Sequence, residues 1–256
     1  MTIFELKLAA CLLILAFGLV GGLLPLRFGS SVRSGRLLNR GNGFSAGIFL
    51  GAGLIHMLGD AQNDFSKIAP DYPYALLIAG AGFLAVLCLE MVILRGREDV
   101  GAMAAEGGGV YPFLLTVVLS VHSLIAGTAV GLETSSAATF ALLIAILAHK
   151  GSAAFALGVS LKSAEFPRPR FISIVALFSC MTPLGVLTGT LFSRSLEGAM
   201  ALRVEATFDS LAAGTFVYVA VLDIIDETFE DKVDLWVKFV LLTLGFGGMA
   251  LLAVWT

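Results

Sequence analysis

Charge is what this sequence has least of. Asp, Glu, Lys and Arg make up 14% of its 256 residues, against about 25% in an ordinary soluble domain. So few charges cannot cover a water-facing surface. With 58% hydrophobic residues and a mean hydropathy of +0.95, the chain reads as a polytopic membrane protein, not a soluble domain with one anchor. Basic runs are missing as well. The net charge is −3, and no stripe is suited to a phosphate backbone, which argues against nucleic acid as a partner. The three cysteines, Cys11, Cys88 and Cys180, all fall in apolar segments. They imply no disulfide framework and read as small packing residues. Histidine is equally scarce, and that scarcity is informative below. No Ser–His–Asp or two-carboxylate arrangement is apparent, and the segments following the histidines lack the glutamate of zinc-protease helices. The chain is not read as an enzyme.

What is present is length of apolar sequence. A bilayer takes about 20 apolar residues per helix, and eight segments qualify: 4–26, 43–60, 72–95, 111–132, 135–163, 169–193, 203–225 and 234–255. The first is too long for a signal-peptide core. The breaks "LRFGSSVRSGRLLNRGNG", "DAQNDFSKIAPDYP", "RGREDVGAMAAEGGG", "KSAEFPRPR" and "DETFEDKVD" carry the polar, glycine and proline residues of connections. Spans four and five are joined by so short a turn that they form an antiparallel hairpin. The reading is an all-α membrane protein, one domain over 1–256, in contact with the lipid bilayer on most sides.

Basic residues set the orientation. The loops after odd-numbered spans hold eleven Lys and Arg, among them Arg27, Arg33, Arg36, Arg40, Lys162 and Lys238. The even loops hold three: Lys67, Arg194 and Arg203. By the positive-inside rule the odd loops face the cytoplasm and both termini lie outside it, in a plasma membrane or an organelle membrane. Small residues recur at four-residue spacing: Gly43, Gly47 and Gly51 in span two, Ser123, Gly127 and Gly131 in span four, Ala148, Ser152, Ala156 and Ser160 in span five. Such stripes let helix backbones approach closely in lipid.

Spans two and seven resemble each other. An offset of 167 aligns Ala46, Gly47 and Phe49 with Ala213, Gly214 and Phe216, and sets His56 opposite Asp223 and Asp60 opposite Glu227. The two spans cross in opposite directions, so the pairs end at opposite faces. Inverted repeats of this kind build alternating-access carriers.

All three histidines, His56, His122 and His149, lie in spans. A polar side chain there faces the bundle interior and is a functional candidate. His122 and His149 sit at mid-depth on the two arms of the hairpin and are expected to be level. Imidazole suits zinc and similar divalent metals. Positions i+4 from each, where a carboxylate ligand would share the face, are Ala126 and Ala153. Lys150 is the odd feature, since a mid-membrane lysine costs about 2.5–3.5 kcal/mol on insertion scales. It stands as a fixed cation at a second metal position, sheds its charge, snorkels, or pairs with a carboxylate such as Asp209. Glu90 reads as facing headgroups. Asp60, Asp64 and Asp71 read as one acidic mouth. Asp223, Asp226, Glu227, Glu230, Asp231 and Asp234 read as the other.

The stretches "GIFLGAGLIHMLGDA", "YPYALLIAGAGFLAVLCLE", "LSVHSLIAGTAVGL", "AILAHKGSAAFALG", "MTPLGVLTG" and "LAAGTFVYVAVLDIIDE" together resemble the ZIP (Zrt/Irt-like) divalent-metal transporters over nearly the whole chain. The resemblance implies eight spans in a 3+2+3 arrangement, an inverted repeat around a central helix pair, and outward termini. It implies that a divalent metal such as zinc is carried toward the cytoplasm between spans four and five, with no other cofactor. His122 and His149 fall on the family's histidine ligands and Ser123 on the neighbouring position. Lys150 falls where many members have an acidic ligand of a second metal, which points to the branch with His-Ser and His-Lys and to one central metal. His56, Asp60 and Asp223 match polar positions, and Glu227 accompanies Asp223 at the inner exit. Ala126 departs from the family's acid, and Asp209 is the candidate to compensate. That departure keeps open a non-transporting scaffold or metal sensor. A homodimer is one compatible assembly.

Overall fold

The computed structural model describes residues 2–29, 31–94, 110–192 and 199–254. The connection "RGREDVGAMAAEGGG", with Arg95 and Arg97, lies outside the described residues, as does Arg194. Among the described residues, eight helices are long and apolar enough to cross a membrane, and there is no strand. They are α1 (Ile3–Leu23), α2 (residues 32–68), α3 (residues 74–94), α4 (Val110–Leu132), α5 (Ser136–Ser163), α6 (Arg168–Phe192), α7 (residues 199–230) and α8 (Leu235–Leu252).

Local chemistry sets several of the ends. Thr2 and Glu5 form a capping box at the start of α1, each side chain taking the other's backbone N–H. The α4–α5 turn is as short as expected: the Glu133 carboxylate accepts from the N–H groups of Thr134 and Ser135, and the Ser135 hydroxyl caps α5. At the end of α7, Lys238 reaches back to the carbonyls of Thr228 and Asp231, satisfying acceptors that the helix leaves open.

Three expected breaks are partly helical. Span two begins at residue 32 rather than 43 and runs to 68 rather than 60, longer by about three turns at its start and two at its end. The segment is polar because it projects beyond the apolar layer, not because it is a loop. Ser31 caps it, Asn39 donates to Asp231, and Arg40 pairs with Asp234 at 2.8 Å. Span seven likewise continues through "DETFE" to Glu230. Cys88 and Cys180 also depart from expectation. They are exposed on their helices, turned toward lipid rather than packed inside.

Extensive contacts join α4 to α6, α2 to α8, α1 to α5 and α3 to α7, and further contacts join α2 to α7 along their lengths and α1 to α6. Each of the first four is a glycine seam. A methyl at Gly127 would run into the Thr182 carbonyl, at Gly47 into that of Leu242, at Gly158 into that of Gly22, and at Gly214 into that of Ala79. Backbones in van der Waals contact are what holds helices together where lipid offers no hydrophobic drive. The helices thus form two groups of four: α1, α4, α5 and α6, and α2, α3, α7 and α8.

Both α2 and α7 are interrupted by a π-helical turn, at Ala52–Met57 and Val219–Ile225. The two turns start 167 positions apart, the offset that aligns the two sequences. A third closes α3 at Cys88–Leu94. It carries Glu90, which is buried and accepts a 2.6 Å hydrogen bond from the Tyr218 hydroxyl. Glu90 therefore faces α7, not the headgroups. A carboxylate cannot be left bare in the apolar layer, and the hydroxyl just before the α7 π turn serves it.

Candidate functional site

His122 and His149 come from the two groups' meeting face, on α4 and α5. As the hairpin requires, they are level: their ring centroids are 5.6 Å apart, and both are almost fully buried. His56, from α2, extends the row, with its ring 6.5 Å from that of His149. The Asp60 carboxylate, one turn on, lies 2.8 Å from His56 Nδ1. The contact places a carboxylate beside the imidazole, as is common for metal-binding histidines.

Both nitrogens of His122 and Nδ1 of His149 are buried without a hydrogen-bond partner. Buried polar atoms are nearly always paired, so three unpaired imidazole nitrogens beside one cavity mark a place for an electrophile. The cavity has a volume of about 280 Å³, and its lining includes His56, His122 and His149 together with Asp60, Asp64, Glu133, Glu205 and Asp209. Asp209 thus stands in the same cavity as Ala126. Asp71 is not part of the lining. Among the described residues, no three His, Cys, Asp or Glu side chains converge on one point as a ready chelate. The imidazoles form a row instead.

Lys150 takes none of the partners expected of it. Its ammonium donates to Ser123 Oγ at 2.9 Å, to the Phe178 carbonyl at 3.1 Å and to Thr182 Oγ1 at 3.1 Å. It also sits 3.6 Å from the centre of the Phe178 ring. All three donors are satisfied, with the ring adding a cation–π contact. No carboxylate takes part, Asp209 included. Phe178 lies one turn ahead of Pro183, which removes a ladder donor within α6. Ser123, engaged by the ammonium, does not line the cavity.

Behind the histidines the way is shut. Phe216 lies 4.5 Å from the His122 ring and 4.8 Å from Phe49, and both phenylalanines are about 1% exposed. Beyond them, at the opposite end of the bundle, a cavity of about 390 Å³ is lined by Asn39, Asn42, Lys162, Glu227 and Asp231 among others. Asp223 is half-buried nearby on the α7 π turn but does not line it. Asp231 and Asp234 are occupied by Lys238 and Arg40.

The family model for ZIP zinc transporters matches residues 4–99 and 95–253. The chain belongs to the ZIP family. Zinc transporter ZIP2 of Mus musculus is 31% identical over 82% of this chain and 83% of its own length. Zinc transporter ZIP1 of Homo sapiens is 27% identical over 94% of this chain and 88% of its own. Protein zntD of Dictyostelium discoideum is 37% identical over 62% of this chain, a match spanning 24% of that protein.

In this ZIP chain two cavity carboxylates escape a sequence reading. Glu133 looks like a turn residue and Glu205 like a helix-end charge. A further correspondence was available in the sequence. The offset of 167 also pairs Asn42 with Asp209. Along α2 the order is Asn42, Phe49, His56, and along α7 it is Asp209, Phe216, Asp223, each at seven-residue steps. Each helix therefore offers a polar group to one cavity, a ring to the barrier and a polar group beyond it.

Proposed function

We propose that this ZIP protein carries a divalent cation, zinc by preference, toward the cytoplasm by alternating access. The observation that carries the proposal is the set of three unpartnered imidazole nitrogens facing a carboxylate-lined cavity that ends at the Phe49–Phe216 barrier. The cation enters past Asp60, Asp64, Glu133 and Glu205, which raise its local concentration. It passes to His56, His149 and His122, with Asp209 supplying the charge that Ala126 does not. A row of donors suits a carrier, because an ion must bind well enough to enter and weakly enough to leave. Asp223 and Glu227 receive it on the other side.

The same reading takes the chain as one 3+2+3 membrane unit with both termini outside the cytoplasm. Its support is the constant offset between α2 and α7, the paired π turns, and a packing scheme that survives exchange of the halves: α4–α6 becomes α5–α1, and α2–α8 becomes α7–α3. Lys150 serves as a built-in cation where other members hold a second ion, so one ion binds at a time, as the His-Ser and His-Lys branch implies. Ser123 acts through that ammonium.

The absence of a ready chelate among the described residues also fits a metal-sensing protein that does not transport. Zinc flux into proteoliposomes containing a trapped indicator separates the two. Wild-type flux is expected, falling about tenfold or more in His122→Ala and His149→Ala. Folded wild-type protein with no flux favours the sensor, and full flux in both variants overturns this route.

A further inference from the structure

The basic start of α2 stands at the mouth of an apolar crevice. Arg33, Arg36 and Arg40 recur at helical spacing with Leu37 between them, and the four line a groove of about 570 Å³. Arg40 is held by Asp234. Arg33 and Arg36 are exposed and make no ion pair or hydrogen bond among the described residues. One residue past Arg40, the same helix begins to line a second crevice of about 470 Å³, between α1, α2 and α5. Its walls are Phe17 and Val20 from α1, Leu24 just past the end of α1, Gly41 and Phe44 from α2, and Phe155 from α5, among others.

Gly41 has no side chain, and the Phe155 ring occupies the space a methyl would need. Phe17, Val20 and Phe44 are exposed along the edge of the crevice, so it opens to the hydrocarbon of the bilayer. From Ala16 to Leu24 it follows α1 for about 12 Å.

We propose that this crevice and the arginine groove together form a site for one anionic phospholipid. An acyl chain lies in the crevice between α1, α2 and α5, and the headgroup phosphate is bound by Arg33 and Arg36. The apolar walls fix the occupant as a lipid chain. The two unpaired guanidinium groups select the headgroup, because they match phosphate oxygens in pairs and an anionic headgroup supplies the charge they lack. A soluble phosphate would satisfy the arginines and leave the crevice unexplained. The site joins α1 and α5 of one helix group to α2 of the other, and it is separate from the histidine cavity.

The test is native mass spectrometry of the full-length detergent-purified chain titrated with phosphatidylglycerol, phosphatidylcholine and inorganic phosphate. Phosphatidylglycerol is expected to bind about tenfold or more tighter than phosphatidylcholine, and inorganic phosphate is expected not to displace it. Arg33→Gln with Arg36→Gln should remove that preference. Ala16→Trp, which fills the crevice from an exposed position, should weaken both lipids. Equal affinity for the two lipids in the wild type overturns the proposal without recourse to any variant. Displacement by inorganic phosphate, or an Ala16→Trp protein that binds as the wild type does, overturns the joint site.

Discussion

Phe49 and Phe216 pack ring against ring with centroids 4.8 Å apart, and they stand 167 positions apart, at matching points of α2 and α7. The two buried rings that part the cavities are therefore counterparts. In this structure the pair lies against His122 and parts it from the side of Asn42 and Glu227.

Phe216→Ala should open that barrier. A buried Phe→Ala change costs about 3–5 kcal/mol, so the unfolding temperature falls. The specific readout is access. With the three native cysteines replaced by serine and Glu227→Cys introduced, a membrane-impermeant thiol reagent applied from the Asp64 side should label the Phe216→Ala protein and not its parent. Equal labelling of the two would show that the rings are not the closure.

Ala126 lines the same cavity wall as Asp209. Ala126→Glu should tighten zinc binding about tenfold or more, equivalent to about 1.4 kcal/mol. Calorimetric titration measures it. Unchanged affinity would mean that this face of α4 does not meet the metal.

The polar groups around the Lys150 ammonium are all oxygens: Ser123 Oγ, Thr182 Oγ1 and the Phe178 carbonyl. Lys150→Glu places a carboxylate among three oxygen donors. Zinc stoichiometry should rise from one ion per chain to two. Without metal the variant should lose about 1–3 kcal/mol, because the acceptors are left unmatched. A stoichiometry of one in both proteins contradicts the idea of a built-in cation.

The seams admit a direct stability test. A side chain at Gly214 meets the Ala79 carbonyl and the backbone at Phe83, whereas a side chain at Gly80 meets nothing within 4 Å. Gly214→Val should part α3 from α7 and yield aggregated protein by gel filtration. Gly80→Ala should elute and melt as the wild type does. Similar behaviour of the two would remove the seam from the account of stability.

Much of this was legible in the sequence, because lipid imposes simple demands. Twenty apolar residues announce a span, and a three-residue turn makes His122 and His149 level. Small residues at four-residue spacing marked Gly47, Gly127 and Gly131 as contact positions. What stayed hidden depends on rotation about helix axes. Glu90 looked like an interfacial charge because depth alone was readable, while its partner Tyr218 sits on another helix. Lys150 and His149 are adjacent in sequence, yet they point about 100° apart, one toward α6 and one toward the cavity. The polar start of α2 read as a loop because composition records the solvent, not the backbone.

The paired π turns have a consequence for how α2 and α7 can be compared. A π turn accommodates one residue more than an α turn, and each extra residue rotates everything beyond it by about 100°. Had only one helix carried such a turn, Asp60 and Glu227 would still align as letters but would point in unrelated directions. Because the turns begin at Ala52 and Val219, the count and the compass stay in step from Asn42 and Asp209 to Asp60 and Glu227. Removing one residue from either turn alone would leave the two helices matched in spelling and mismatched in space.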